Sequence, residues 1–187
     1  MFLSQDAIGQ LDLMNELYDK AGFVLSDFSG DLMGSKVWMG MFHDPTYRCL
    51  LDPSILEVID ATVPITTVVG EDNVDALMAQ KDELFFKAAS DFGGHGVFVG
   101  RSDDAATLRE RLGDLQAKRW IAQRACQVAP LMARPLGGDV EVPNTSVLGL
   151  YQVGNNWSGV LVRAKDGADV VNVATGSAFG WGYEGLP

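Results

Sequence analysis

Basic residues, cysteines and long apolar runs are all scarce in this chain of 187 residues. Lys and Arg number 14 against 25 Asp and Glu, and the resulting formal net charge of −11 excludes an extended nucleic-acid interface. The two cysteines, Cys49 and Cys126, form no CxxC or Cys/His ligand spacing, which excludes a disulfide scaffold and a structural zinc site. No apolar run approaches the roughly 18 residues that span a bilayer, and the N-terminus has no secretory pattern. We therefore expect a cytoplasmic chain with no membrane partner.

Apolar residues make up 47% of the sequence, enough for one sizeable core. Their spacing predicts helices interleaved with strands and hairpins, and the fold class is therefore α+β. The predicted helices span 6–21, 37–42, 54–60, 72–82 and 103–117. The predicted strands span 23–25, 62–69, 84–89, 97–99, 120–124, 148–153, 157–163 and 170–173. Residues 62–69 contain a proline, which favours an edge strand.

The most informative stretch is a strand that carries Lys87 into the glycine-rich turn Gly93-Gly94-His95-Gly96. The exposed backbone N–H groups of such a turn can surround phosphate oxygens, and the ammonium group supplies positive charge beside them. The turn is not a Walker loop, because GxxxxGK[ST] is absent, and no helix follows it as in a dinucleotide-binding turn. Taken alone, a glycine-rich hairpin is most often only a tight turn, and the surrounding motifs must support phosphate binding.

Three further motifs surround this stretch in a definite order. Gly34-Ser35-Lys36 precedes it, and Ile121-Ala122-Gln123 and a hairpin ending at Arg163 follow it. In this order the motifs resemble those of the circularly permuted ATP-grasp ligases, in particular the C-terminal ATP-binding half of glutathionylspermidine synthase-like proteins. The resemblance extends from about residue 34 to residue 176, with Ala88 in place of the usual proline after the strand lysine.

The resemblance implies a role for each matched residue. Lys36 and Lys87 would contact ATP phosphates, and Gly93, Gly94 and Gly96 would form the lid loop, with His95 as a further phosphate contact. Gln123 and Arg124 would lie beside the adenine, and Arg163 would be the catalytic residue facing the phosphate or acyl-phosphate region.

The implied fold has antiparallel sheets with flanking helices. It would form one ATP-grasp-like unit over 1–187, with a small helical lobe over about 1–80 and a nucleotide-binding hairpin lobe over about 81–187. The implied activity is Mg²⁺-dependent and ATP-dependent: a small-molecule or peptide carboxylate is activated as an acyl phosphate and joined to an amine.

The metal ligands are not assigned by these motifs. No E-x-N followed by D-x-P occurs in residues 1–35, and Asn172 is the one residue that a conventional ATP-grasp pattern nominates. Asn172 is better explained as a polar residue on an exposed strand or hairpin end. The chain is therefore expected to be part of a longer ligase, or to need a missing half or a partner chain.

Two other functions remain open at this point: a non-catalytic nucleotide-binding or regulatory module, and a structural α+β domain. Several side chains have a structural explanation. His95 faces solvent in the plainer interpretation, and Cys49 is expected to be a small buried hydrophobe. The four tryptophans are expected in the core or between lobes, with Trp120 and Trp157 as possible walls of an adenine pocket.

Overall fold

A computed structural model of the chain describes residues 33–113, 118–134 and 138–182, together with positions 12, 13, 15, 16, 19, 20, 30 and 115. The chain divides into two compact units, Met1–Ser35 and Lys36–Pro187. In the first unit the described positions between 12 and 20 are helical, in agreement with the predicted helix 6–21. The remainder of that helix and the predicted strand 23–25 lie outside the described residues.

The second unit combines short helices with two antiparallel sheets, which confirms the α+β class. The helices are α1 Val37–Met41, α2 Pro45–Arg48, α3 Pro53–Thr62, α4 Val74–Ala79 and α5 Ala105–Leu112. The strands are β1 Thr66–Val69, β2 Leu84–Ala88, β3 Val97–Val99, β4 Trp120–Arg124, β5 Leu131–Ala133, β6 Val142–Val153, β7 Asn156–Lys165 and β8 Ala178–Gly182. Among the described residues, no helix is both long and apolar enough to cross a membrane.

Aspartate caps begin three of the helices, α2, α3 and α5. Asp52 precedes Pro53 at the start of α3, and its carboxylate accepts a hydrogen bond from the backbone N–H of Ser54. Asp104 caps α5 in the same way. Proline at the first helical position removes no hydrogen bond, and the carboxylate satisfies an N–H group that the helix leaves unpaired. As a result, α3 begins one residue before the predicted start at 54, and α5 begins two residues after the predicted start at 103.

The first sheet has the strand order β1-β4-β2-β3, with all neighbours antiparallel and β1 at the edge as predicted. One of its faces carries the hydrophobic core. Phe86, Trp120 and Val69 are almost fully buried there, and Leu108 of α5 packs in the same cluster. Phe98 stacks on Trp120 with 5.3 Å between ring centroids. The sheet is thus anchored by aromatic packing on one face, which leaves its other face for the polar residues described below.

The second sheet has the order β5-β6-β7-β8, also antiparallel throughout. The predicted hairpin over 148–163 is confirmed, and β6 begins earlier than predicted, at Val142. The predicted strand over 170–173 is wrong. The last residue of the predicted strand, Val173, instead begins a 3₁₀ turn, Val173–Thr175. The side-chain oxygen of Asn172 accepts a hydrogen bond from the N–H of Ala174 and caps that turn. The strand lies at Ala178–Gly182 instead.

Three expected burials are also wrong. Cys49 is exposed, although its apolar neighbours Leu50 and Leu51 suggested a buried thiol. Trp157 and Trp181 are 63% and 73% exposed, because they lie on the second sheet, of which most side chains remain accessible. Only Trp120 of the tryptophans is a fully buried core residue.

Candidate functional site

The candidate site lies on the face of the first sheet opposite the aromatic core. In antiparallel strands, residues that pair directly share a face, and alternate residues along a strand point to opposite faces. The register pairs Lys87 with Ile121, and it pairs Gln123 with Thr66 and Phe85. Lys87, Gln123 and Thr66 therefore share one face, while their neighbours Phe86 and Ala122 belong to the core.

Lys87 is held by a continuous chain of hydrogen bonds. Its Nζ donates to Oε1 of Gln123 at 2.6 Å, and Nε2 of Gln123 donates to Oγ1 of Thr66 at 2.9 Å. The Thr66 hydroxyl in turn donates to the carbonyl of Pro64 at 2.7 Å. Gln123 is only 7% exposed, and its acceptor and donor groups are both used. A buried amide that is satisfied in this way fixes the position of the ammonium group.

Lys36 reaches the same region from the start of α1. Its backbone N–H donates to the carbonyl of Ala89 at 2.9 Å, which attaches the start of this helix to the end of β2. Its Nζ donates to the carbonyl of Asp91 at 2.5 Å and lies 5.5 Å from the centroid of the Phe92 ring. The sequence places Lys36 and Lys87 about 50 residues apart, and the fold brings both to the beginning of the glycine turn.

Both lysines give up their protons more easily than free lysine. Burial lowers the pKa of Lys87, and the positive charge of Lys36 lowers it further. Burial also lowers the pKa of Lys36, while the charge of Asp91 opposes that effect. Two ammonium groups that repel one another in a partly desolvated site favour a neighbouring anion.

The glycine turn needs glycine for conformational and steric reasons. Gly96 has a φ of 63°, and a Cβ at this position would lie 2.9 Å from Cβ of Ala88 and against the carboxylate of Asp91. The carbonyl of Gly96 accepts the N–H of Ala88 at 2.8 Å, which closes the β2–β3 hairpin. Left-handed backbone of this kind turns successive N–H groups into a shallow concave surface, where anions bind.

The turn is also in contact with the segment before β8. A Cβ at Gly94, where φ is 81°, would lie 3.1 Å from Cβ of Asn172 and 3.3 Å from Cγ2 of Thr175. Lys165 donates to the carbonyl of Thr175 at 2.6 Å. The lid residues predicted from the sequence therefore pack against the 3₁₀ turn that begins after Asn172.

Lys118 is a site residue that the sequence analysis missed. Its Nζ pairs with the carboxylate of Asp91 at 2.8 Å and lies 4.9 Å from the centroid of the Trp120 ring. It is thus a third cation beside the turn, engaged with the aspartate that Lys36 also contacts. Lys118 lies two residues before the predicted strand 120–124, but its pairing with a residue 27 positions away leaves no signal in the local sequence.

The remaining predicted residues are exposed or lie on the second sheet. His95 is exposed at the tip of the turn. Arg124 is exposed at the end of β4, with its guanidinium 3.6 Å from the carboxylate of Glu83. Arg163 lies on β7 of the second sheet, opposite Val147 and Phe179. Its Nε is buried and has no hydrogen-bond partner among the described residues.

The described residues do not bring together the oxygen ligands that a magnesium ion needs. Within the described ranges, no group of three or more His, Cys, Asp or Glu side chains could hold a metal ion. Asn172 uses its side-chain oxygen to accept the N–H of Ala174, and Asp91 is paired with Lys118. Hard divalent cations require several oxygen ligands at one point, and the described residues do not fit such a set.

Comparisons with protein-family models, with curated proteins and with solved structures find no match to this chain.

Proposed function

We propose that this chain binds the phosphates of ATP with Lys36 and Lys87, as the nucleotide-binding unit of an ATP-grasp carboxylate–amine ligase. The observation that carries the proposal is the pair of partly buried ammonium groups beside a glycine turn. In the free protein these charges repel each other and are incompletely solvated, and both penalties decrease when a polyanion lies between them.

The hydrogen bonds of the site agree with this role. Lys87 is oriented by a neutral amide and not by a carboxylate, so its positive charge is not cancelled. Lys36 donates to a backbone carbonyl, which is also neutral. A lysine that is hydrogen-bonded to a carboxylate gives up an ion pair when it binds phosphate. Lys87 gives up only a hydrogen bond to an amide, and Lys36 gives up a hydrogen bond to a carbonyl together with its longer-range attraction to the charge of Asp91. Lys118, which is paired with Asp91, is expected to contribute less.

The chemistry that follows from the proposal needs charge neutralisation above all. A substrate carboxylate oxygen attacks the γ-phosphorus of ATP, and the bond to the β-phosphate oxygen breaks with release of ADP. An amine then attacks the carbonyl carbon of the acyl phosphate, and inorganic phosphate leaves. Fixed cations and backbone donors stabilise the charge that spreads over the phosphoryl oxygens. Arg163 would supply a further cation there.

ATP-grasp ligases use Mg²⁺, and the described residues do not form its site. We therefore assign no step to the ion. The ligands would come from another segment of the ligase or from a partner chain. Within the same proposal, Gln123 and Arg124 are the residues expected beside the adenine.

A non-catalytic nucleotide-binding module is the second candidate. It is favoured by one observation, the lack of a metal-ligand cluster among the described residues. Such a module would bind ATP with the same two lysines but would release no phosphate.

Calorimetric titration with ATP tests the phosphate assignment. We expect Lys36→Met and Lys87→Met each to lower the affinity by about tenfold or more, because hydrogen bonds to charged groups contribute about 1.5–3 kcal/mol. Lys20→Met is the matched control, since Lys20 is an exposed lysine in the other compact unit. The affinity should fall in the order ATP, ADP, AMP, because the phosphates carry the interaction.

Thermal unfolding of each variant is measured beside its titration to establish that the variant is folded. This control is needed because Lys87→Met leaves the buried Oε1 of Gln123 without its hydrogen-bond donor. Unchanged ATP affinity in both folded variants would overturn the phosphate assignment. Phosphate release tests for ligase activity. With Mg²⁺ and a pool of carboxylates and amines, release above the no-substrate level indicates a ligase, whereas binding without release is expected both of the module and of a ligase unit whose metal ligands lie on another segment or chain.

A further inference from the structure

β8 is an edge strand within the described part of the chain. β8 pairs with β7 on one side, and no strand among the described residues pairs with the other side. Natural edge strands are normally protected by a very short length, by lysine or proline, by a bulge or by a covering segment. The five residues of β8, Ala178–Gly182, have an ordinary strand length and include no lysine or proline, and the β7–β8 register has no bulge. Phe179 and Trp181 on this strand are 64% and 73% exposed.

The sequence of β8, Ala-Phe-Gly-Trp-Gly, complements itself in an antiparallel arrangement. If Gly180 lies opposite Gly180 of a second copy, Phe179 of each copy lies opposite Trp181 of the other, and Ala178 lies opposite Gly182. Phe179 and Trp181 occupy the same face of the sheet, because they are two residues apart. Both cross-strand pairs are therefore aromatic pairs, the kind that most stabilises antiparallel strands. The opposite face of the strand presents only alanine and glycine.

Charge does not oppose this association. The chain has a net charge of −11, yet β6, β7 and β8 together contain only Arg163 and Lys165 as charged residues. An edge without charge is poorly suited to recognising a nucleic acid or an acidic peptide, and it fits a partner that offers an equally uncharged strand.

We propose that two copies of this chain associate through β8, in antiparallel register about Gly180, to form one continuous eight-stranded sheet. The dyad lies perpendicular to the sheet, so each face continues from one copy into the other. The dimer is stabilised by backbone hydrogen bonds between the two edges and by two Phe179–Trp181 pairs across the dyad. This arrangement is independent of nucleotide binding.

Sedimentation velocity of the full chain tests the association. We expect the mass to double from 20.2 kDa as concentration rises toward about 1 mM, because a five-residue edge makes a small, weak interface. The double variant Phe179→Lys, Trp181→Lys places like charges opposite one another and should stay monomeric. Its matched control, Phe179→Lys, Trp181→Glu, has opposite charges in the same register and should dimerise. A monomeric unchanged chain, a dimeric Lys/Lys variant or a monomeric Lys/Glu variant would each overturn the proposal.

Cross-linking provides a measurement that needs no change to the aromatic residues. Gly180 has ordinary backbone geometry, and a Cβ there would meet no other atom within 4 Å, so Gly180→Cys should fold. Opposed residues in antiparallel strands have Cα atoms about 4.5–5.5 Å apart, which suits a disulfide. With Cys49 and Cys126 replaced by serine, Gly180→Cys should form a disulfide-linked dimer on mild oxidation. Ala178→Cys, two residues away on the same face, should not. Equal cross-linking at both positions would contradict the register.

Discussion

The two sheets of the second unit differ sharply in how much of their surface is covered. Four of the five residues of β4, at the centre of the first sheet, are buried, whereas no residue of β5, β6 or β7 in the second sheet is. Both sheets have apolar strands. The first sheet has α4 and α5 against its aromatic face, while the apolar side chains of the second sheet remain accessible within the described part of the chain.

This difference shows that an apolar strand predicts pairing more reliably than it predicts burial. Leu148 and Leu150 lie in the clearest hairpin of the sequence, and their exposures are 57% and 69%. Strands that are apolar on both faces are typical of sheets with a layer on each side. The second sheet is therefore suited to contacts with further protein, and the proposed β8 dimer would cover one edge of it.

The largest expected effect comes from deleting an aromatic side chain in each sheet. Phe86 is fully buried in the core of the first sheet, and Phe179 is 64% exposed in the second. Phe86→Ala should lower the free energy of unfolding by about 3–5 kcal/mol, because it removes apolar burial and leaves a cavity. Phe179→Ala should change it by less than about 0.5 kcal/mol in dilute solution. Urea denaturation measures both values, and similar losses would show that Phe179 is covered in solution.

A smaller loss of stability is expected when a glycine with a positive φ is replaced by alanine in either hairpin. Gly154, in the β6–β7 turn, has a φ of 59° and open space around it. Gly154→Ala should cost only the backbone strain, about 1–2 kcal/mol. Gly96 has a similar φ but lies against Ala88 and Asp91, so Gly96→Ala should cost about 1–3 kcal/mol more from overpacking. Equal shifts of the urea midpoint would mean that the glycine turn of the first sheet relaxes freely.

The local sequence correctly predicted those turns and strands that interactions between neighbouring residues determine. The hairpin around Gly93–Gly96 and the strand Trp120–Arg124 follow from glycine punctuation and from short apolar runs. The sequence also placed Lys87 at the start of the turn. The strand β8 could not be predicted in this way, because alanine and glycine have low strand propensity and β7 supplies the hydrogen bonds that hold it.

Contacts between residues far apart in sequence explain why the roles of Gln123 and Lys118 were missed. The sequence nominated Gln123 as a neighbour of adenine, and the structure shows its amide holding Lys87, 36 residues away along the chain. Lys118 was overlooked because its partner, Asp91, is equally remote in sequence. Hydrogen bonds of this kind depend on strand order and register, which local spacing does not determine.

The smallest expected effect concerns the pH dependence of stability, and it arises from the lysine pair of the first sheet. Burial and then the charge of Lys36 lower the pKa of Lys87 in the folded chain below the ordinary 10.5. Between that lowered pKa and 10.5 the unfolded chain binds more protons than the folded chain, so stability should rise with pH in this window.

Lys36→Met should flatten this rise, because it removes one buried lysine and raises the pKa of the other toward its usual range. The measurement is the urea midpoint across the alkaline range for the unchanged chain, for Lys36→Met and for the exposed-lysine control Lys20→Met. Other alkaline titrations are common to all three proteins and cancel in the comparison. A slope that Lys36→Met leaves unaltered would show that the two ammonium groups do not interact, and it would remove the electrostatic basis for phosphate binding at the first sheet.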